Sequence, residues 1–160
     1  MKPMHGVYPS DDRAEMSEVA PGLWVGSKPK PGSIPGIDVI VLAAQEYQLP
    51  AALFPDTEII HAPLDDDPRR LMRLDEIALA TRTANRVARR LRAGRRVLAT
   101  CQMGLNRSSL VAALAMHDVF GMSADEIVTR IRQARGVLAL SNPSFEGLLR
   151  AVIDLRSAKT

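Results

Sequence analysis

The sequence predicts an α/β domain, a mostly parallel central sheet flanked by helices. Three observations carry this. Short apolar, β-branched runs of strand length alternate with longer stretches whose apolar residues recur at helical spacing. The run Asp38 to Ala43 (DVIVLA) is polar only at its first residue, the pattern of a strand covered on both faces. The stretch from Val97 to Leu114 reads as strand, tight loop and helix in direct succession, with the chain's single cysteine at the strand's end.

Taken in order, residues 1 to 18 are polar with little periodicity and are expected to form a flexible arm, leaving 19–160 as one domain. Leu23 to Gly26 reads as a short strand, and Ser27 to Gly36, punctuated by Pro and Gly, as loop. After the strand Asp38 to Ala43, Gln45 to Pro50 is loop and Ala51 to Phe54 a helical turn. Glu58 to Pro63 is the next strand, followed by the acidic loop Asp65-Asp66-Asp67-Pro68. Arg73 to Arg92 is the longest helix, with Leu74, Ile77, Thr81, Ala84, Val87 and Leu91 on one stripe and Gly94 at its end. Arg95 to Thr100 is a strand and Asn106 to Phe120 a helix. Ser123 and Glu126 form a capping-box pattern for a helix to Arg135. Asn142 and Pro143 supply the cap and first turn of the last helix.

Composition narrows the class. At 160 residues, 46% apolar and 24% charged, the chain reads as soluble and globular. One cysteine excludes an internal disulfide framework and points to a reducing compartment. No apolar run approaches the roughly 18–20 residues needed to span a bilayer, and the N-terminus lacks a signal-peptide core. A cytoplasmic protein is expected. The net charge of +3 favours anionic substrates without identifying nucleic acid.

The loop after the cysteine suits a phosphate. A strand ending at Cys101 and a helix beginning near Arg107 aim the backbone N–H groups of Gln102, Met103, Gly104, Leu105 and Asn106, and the positive end of the helix, at a bound anion. Gly104 permits the positive φ that such a turn needs. Arg107 can grip two phosphoryl oxygens at once. The same surroundings favour the thiolate, the nucleophilic form of a cysteine, and Ser108 can hydrogen-bond it as a leaving group. If the strands are parallel, the loops after Ala43, Pro63 and Thr100 share one edge of the sheet. An acid from Asp65 to Asp67 then faces the thiol, and repulsion among these carboxylates favours keeping one protonated. The reaction expected is attack by Cys101 on phosphorus, then hydrolysis of the cysteinyl phosphate, with one carboxyl serving as acid and then base. No metal or cofactor is called for, and His5, His61 and His117 share no metal-ligand spacing.

Cys101-Gln-Met-Gly-Leu-Asn-Arg107-Ser108 is similar to the signature loop of the cysteine-dependent protein tyrosine phosphatases, and most resembles that of the dual-specificity branch. Leu23-Trp-Val-Gly-Ser27, Asp38–Glu46, Pro63-Leu64-Asp65-Asp66 and Ser141-Asn-Pro-Ser-Phe145 resemble further segments of that family in the same order, so the likeness runs over about residues 20 to 156. The resemblance implies a dual-specificity-phosphatase-like fold, a nucleophile at Cys101, a phosphate-binding Arg107 and an assisting Ser108. It implies Asp66 as the general acid, with Asp65 and Asp67 as alternatives. The implied partner is a phosphorylated protein or peptide carrying phosphotyrosine, and with it phosphoserine or phosphothreonine. One position departs: Thr100 stands where the family has His, so a less activated Cys101 and slower turnover are expected.

Other readings stay open. The same chemistry serves a phosphoinositide, an RNA 5′-phosphate or a small phosphoester, although the loop between Cys101 and Arg107 has no Lys or Arg, which disfavours lipid headgroups. A phosphate-binding module with little catalysis is the alternative of a different class. Arsenate reduction needs further cysteines, and a sulfurtransferase fits the Arg107-Ser108 ending less well. Gln45-Glu46-Tyr47 is expected to line the pocket, with Tyr47 placed to stack on a phosphotyrosine ring. Arg82, Arg86, Arg89, Arg90, Arg92, Arg95 and Arg96 read mainly as the solvated side of a helix. They lack interleaved aromatics, which disfavours nucleic acid. Asn142 reads as a helix cap and Trp24 as packing.

Overall fold

The middle of the sheet is the strand that leads to the cysteine. In the computed structural model, which describes residues 15–159, β1 (Met16–Ala20), β2 (Leu23–Gly26), β3 (Val39–Ala44), β4 (Glu58–Leu64) and β5 (Val97–Thr100) form one sheet in the order β1-β2-β5-β3-β4. β5 pairs in parallel with both β2 and β3, β3 with β4 likewise, and only β1 runs antiparallel. All four residues of β5 and all six of β3 are buried, as expected of parallel strands covered on both faces.

One face carries the helices α1 (Leu74–Arg92), α2 (Arg107–Phe120), α3 (Ala124–Arg135) and α4 (Pro143–Ser157). α2 is the central one. Its first ten residues, Arg107 to Met116, are all buried, so it lacks the single apolar stripe of a surface helix. Val41, Ile60, Val87, Leu110, Ile127 and Leu149 belong to the continuous core on that side. The opposite face is closed without a long helix. Ile37, Ile40, Leu42, Phe54 and Leu98 pack there, with Trp24, Ile34 and Leu49 against them, and Ala51–Leu53 forms a 3-10 turn.

One expectation changes in part. Residues 1–14 of the expected arm lie outside the described residues. Its remainder is no arm: Met16, Ser17 and Glu18 begin β1 and pair with Gly26, Val25 and Trp24. An edge strand has one solvated side, so a sequence as polar as Met16-Ser-Glu still forms one when a tight turn supplies the partner. Pro21-Gly22 is that turn, with Gly22 at φ 79°.

α1 starts on a carboxylate. Glu76 accepts the Arg73 N–H at 2.8 Å and two bonds from the Arg70 guanidinium at 2.7 and 3.0 Å. The Arg70 pairing, above all, holds its carboxyl down at about 2. A carboxyl depressed in this way stabilises the fold above its ordinary value of 4.5, and that stability drains as pH falls towards 2. Chemical denaturation as a function of pH is therefore expected to show a fall between pH 4.5 and 2 that is shallower in Glu76→Gln.

Candidate active site

The parallel strands deliver three loops to one edge, and side chains tie them together. The loop after β3 contributes Gln45 and Glu46, the loop after β4 contributes Asp65 to Asp67, and β5 ends at Cys101. Gln45 Nε2 donates to Asp65 Oδ1 at 3.2 Å, and Arg107 bonds both Glu46 and the Leu64 carbonyl.

Cys101 is 4% exposed, with its Sγ 3.1 Å from the hydroxyl of Ser108, seven residues on in the first turn of α2. Its N–H donates to the Gly26 carbonyl at 3.3 Å. The loop then reverses through Gly104 at φ 66°. No other residue fits there: a Cβ on Gly104 would lie 2.6 and 2.8 Å from the Gly26 carbonyl carbon and oxygen. Arg135, the last residue of α3, holds this turn from behind, donating to the Gly104 and Met103 carbonyls at 3.0 and 3.2 Å. Its own charge is met by Glu15 at 3.1 Å. No sequence pattern signals this brace, because an arginine at a helix C-terminus is ordinarily read as a dipole partner.

Asn106 stands at the N-cap of α2 without capping it. Its side-chain oxygen instead accepts the Asn142 N–H at 2.9 Å. The first-turn N–H groups of α2 are thus left without a side-chain cap, as an anion-binding helix start requires. Gln102 and Met103 are exposed, and Leu105 and Asn106 half-buried, so what this loop can offer an anion is chiefly backbone.

Arg107 is 7% exposed. Nη1 and Nη2 each lie 2.6 Å from the two Glu46 oxygens, and Nη1 also reaches the Leu64 carbonyl at 3.0 Å. Burial alone would push this guanidinium down; Glu46, Cys101 and Asp66 outweigh it and raise it. Arg107 in turn holds the Glu46 carboxyl below its usual range. The Nε–H is buried and has no partner among the described residues. With Glu46 engaging both terminal nitrogens, the Nε side of the guanidinium is the one free to meet a phosphoryl oxygen.

The three aspartates part company. Asp65 accepts from Gln45 and from Arg70 at 3.1 Å. Asp67 is paired with Arg69 at 3.0 Å. Neighbour repulsion among the three is therefore offset by these arginines and is not what singles one out. Asp66 is distinguished by its partner: Oδ1 accepts 2.8 Å from Asn142 Nδ2. Asn142, 2% exposed, also accepts the Ser144 N–H at 3.0 Å and so caps α4. Through Asn106 and Asp66 it joins the signature loop to the acid loop, a role that its capping pattern hides.

Two further side chains near the site are engaged elsewhere, and for Tyr47 this departs from expectation. The Thr100 hydroxyl donates 2.6 Å to the Val41 carbonyl, so it ties β5 to β3 rather than serving the thiol. Tyr47 is not a free stacking platform. Its hydroxyl donates to the Pro29 carbonyl, and Lys28 Nζ sits 4.8 Å over its ring. Substitution Gly104→Ala is expected to weaken tungstate binding at least tenfold in a calorimetric titration, roughly 1.4 kcal/mol or more, because both the φ and the Gly26 contact forbid the methyl.

No protein-family model matches the chain, and no curated protein matches it in sequence. Solved structures do match in fold. Human DUSP28 superposes with a TM-score of 0.72 at 24% identity, over 89% of this chain and 95% of that one. A point variant of human DUSP28 gives 0.75 at 25% identity, over 91% and 99%. A mouse dual specificity phosphatase in complex with zinc tungstate gives 0.74 at 22% identity, over 91% of each chain. The chain has the fold of the dual-specificity branch of the cysteine-dependent protein tyrosine phosphatases.

Proposed function

We propose that this protein is a cysteine-dependent phosphatase of phosphorylated proteins, acting on phosphotyrosine and also on phosphoserine or phosphothreonine. The observation that carries the reading is the pairing of a buried thiol with the Ser108 hydroxyl in a loop closed by Arg107, whose Nε–H is unclaimed. In the first step Cys101 Sγ bonds phosphorus while the P–O bond to the leaving group breaks, and Asp66 delivers a proton to that oxygen. The uncapped start of α2 and Arg107 carry the charge of the equatorial oxygens. In the second step Asp66 takes a proton from water, the water oxygen bonds phosphorus, and the S–P bond breaks. Ser108 stabilises the departing thiolate. Asn142 holds Asp66 at the loop, which supports Asp66 over Asp65 and Asp67 for the proton.

The absence of Lys and Arg between Cys101 and Arg107 supports a protein phosphate over a polyphosphorylated lipid headgroup. Among the described residues no helix is long and apolar enough to cross a membrane. A single reduced thiol as the working group fits the cytoplasm.

One observation favours a second reading, a phosphate-binding module with little turnover: the Thr100 hydroxyl is spent on β3 and does nothing for Cys101. Kinetics separate the two. The wild type is expected to hydrolyse p-nitrophenyl phosphate and a phosphotyrosine peptide between pH 5 and 8, and Cys101→Ser to abolish both. Asp66→Asn is expected to lower kcat on the peptide by about 10²- to 10⁴-fold and to cost less on the aryl phosphate, whose leaving group needs less help. Asp67→Asn is expected to leave both close to wild type. Turnover absent across that range would sink the enzyme reading. Thr100→His is expected to speed alkylation of Cys101 by iodoacetate at neutral pH.

A further inference from the structure

The arginines around α1 divide into two groups. Arg90 grips both Glu58 oxygens at 2.7 Å, Arg95 reaches the same carboxylate at 3.5 Å, Arg92 bonds Asp118, and Arg96 lies over the Trp24 ring. Arg82, Arg86 and Arg89 have no hydrogen bond or ion pair among the described residues. They stand at i, i+4 and i+7, hence on one face of the helix and within about 10 Å along its axis. Glu58, whose carboxyl feels the field of Arg86, is already held by Arg90.

These three line a cavity of about 420 Å³ with His61, and His61 belongs to β4, an edge strand. Glu58 N–H donates to Asp38 and the Leu64 carbonyl accepts from Gln45. The even-numbered residues of β4 therefore face β3, and Ile59, His61 and Pro63 face outwards. Among the described residues no backbone bond uses the outward N–H groups of Ile59 and His61, or the carbonyls of those two and Pro63. Proline is tolerated on such an edge because its missing N–H would point to solvent. An unsatisfied ladder and an unpaired row of cations meet in one groove.

We propose that this groove docks an extended acidic segment of a partner protein, which adds to β4 as a sixth strand with its carboxylates on Arg82, Arg86 and Arg89. The geometry matches. Side chains on one face of an extended segment recur every 6.6–6.8 Å or so, so two or three carboxylates span the arginine row. Backbone bonds to β4 supply affinity and the cations supply selectivity. The charge argues against the other occupants. Two copies paired edge to edge would bring two cationic rows together, and a nucleic acid would find no Phe, Tyr or Trp ring to stack on in the groove, where the His61 ring is already bonded to the Leu49 carbonyl at 2.8 Å. The site does not depend on the catalytic reading.

The test uses a fluorescein-labelled nonapeptide of alternating Glu and Val, its backbone N-methylated counterpart, labelled oligothymidylate, and phosphatidylserine vesicles. The nonapeptide is expected to bind the full chain, to weaken at least tenfold in Arg86→Glu/Arg89→Glu, and to weaken at least tenfold on N-methylation. It is also expected to slow amide exchange at Ile59 and His61. The double variant is expected to melt like the wild type and to keep its basal hydrolysis of an aryl phosphate, since neither arginine touches the phosphate loop. The proposal is overturned if the nonapeptide fails to bind at millimolar concentration or if N-methylation changes nothing. Oligothymidylate or the vesicles binding more tightly than the nonapeptide, or sedimentation showing a dimer that the double variant loses, also overturns it.

Discussion

A guanidinium as deeply buried as that of Arg107 has to be met by an anion, because an isolated charge in a low-dielectric interior costs several kcal/mol. Glu46 meets it, and the pairing fixes more than one residue. It pins the turn after β3, and the bond to the Leu64 carbonyl pins the end of β4. Arg107 is also the first residue of the central helix. One ion pair thus sets the relative positions of three elements from which the site is assembled. The pair is protected on one side only: Glu46 has a side chain 45% exposed, so solvent reaches the carboxylate while the cation stays dry.

The sheet edge beyond this pair is held by groups that reach in from the far end of the sequence. Asn142 binds Asn106 and Asp66 at once, and Arg135 closes on Gly104 and Met103. Leu140 donates its N–H to the Leu105 carbonyl at 2.8 Å. The segment from Arg135 to Asn142 therefore works as a strap behind the signature loop. A loop of exposed side chains is made rigid by its backbone, through partners more than thirty residues away.

Much of this was legible in the chain. The apolar run before Cys101, the Gly104 turn and the helix from Arg107 follow from local rules, since residue size, φ preference and periodicity act over a few neighbours. The parallel order follows as well, because helical crossovers leave few alternatives. What escaped is non-local. That Glu46 neutralises Arg107, that Arg135 braces a carbonyl, and that Asn142 bonds Asp66 and not its two neighbouring aspartates are facts of contact across 31 or more positions. No periodicity encodes them. β1 escaped for a different reason: a strand with one wet face and polar residues carries too little hydrophobic signal, and only the Pro21-Gly22 turn betrays it. The arginines in and just after α1 are the converse case. Seven arginines read alike in sequence, and only tertiary pairing separates the four with partners from the three that have none among the described residues.

The buried Arg107 Nε–H has a consequence for the life of the folded chain. A buried donor left unsatisfied costs roughly 1–3 kcal/mol, and α2 begins with further N–H groups that no side chain caps. Any tetrahedral oxyanion that satisfies them returns that free energy to the native state. By mass action an anion at about 100 times its dissociation constant adds about 2.7 kcal/mol. Inorganic phosphate held at this loop would in that way act as a structural ligand, adding to the stability of the fold as its concentration rose.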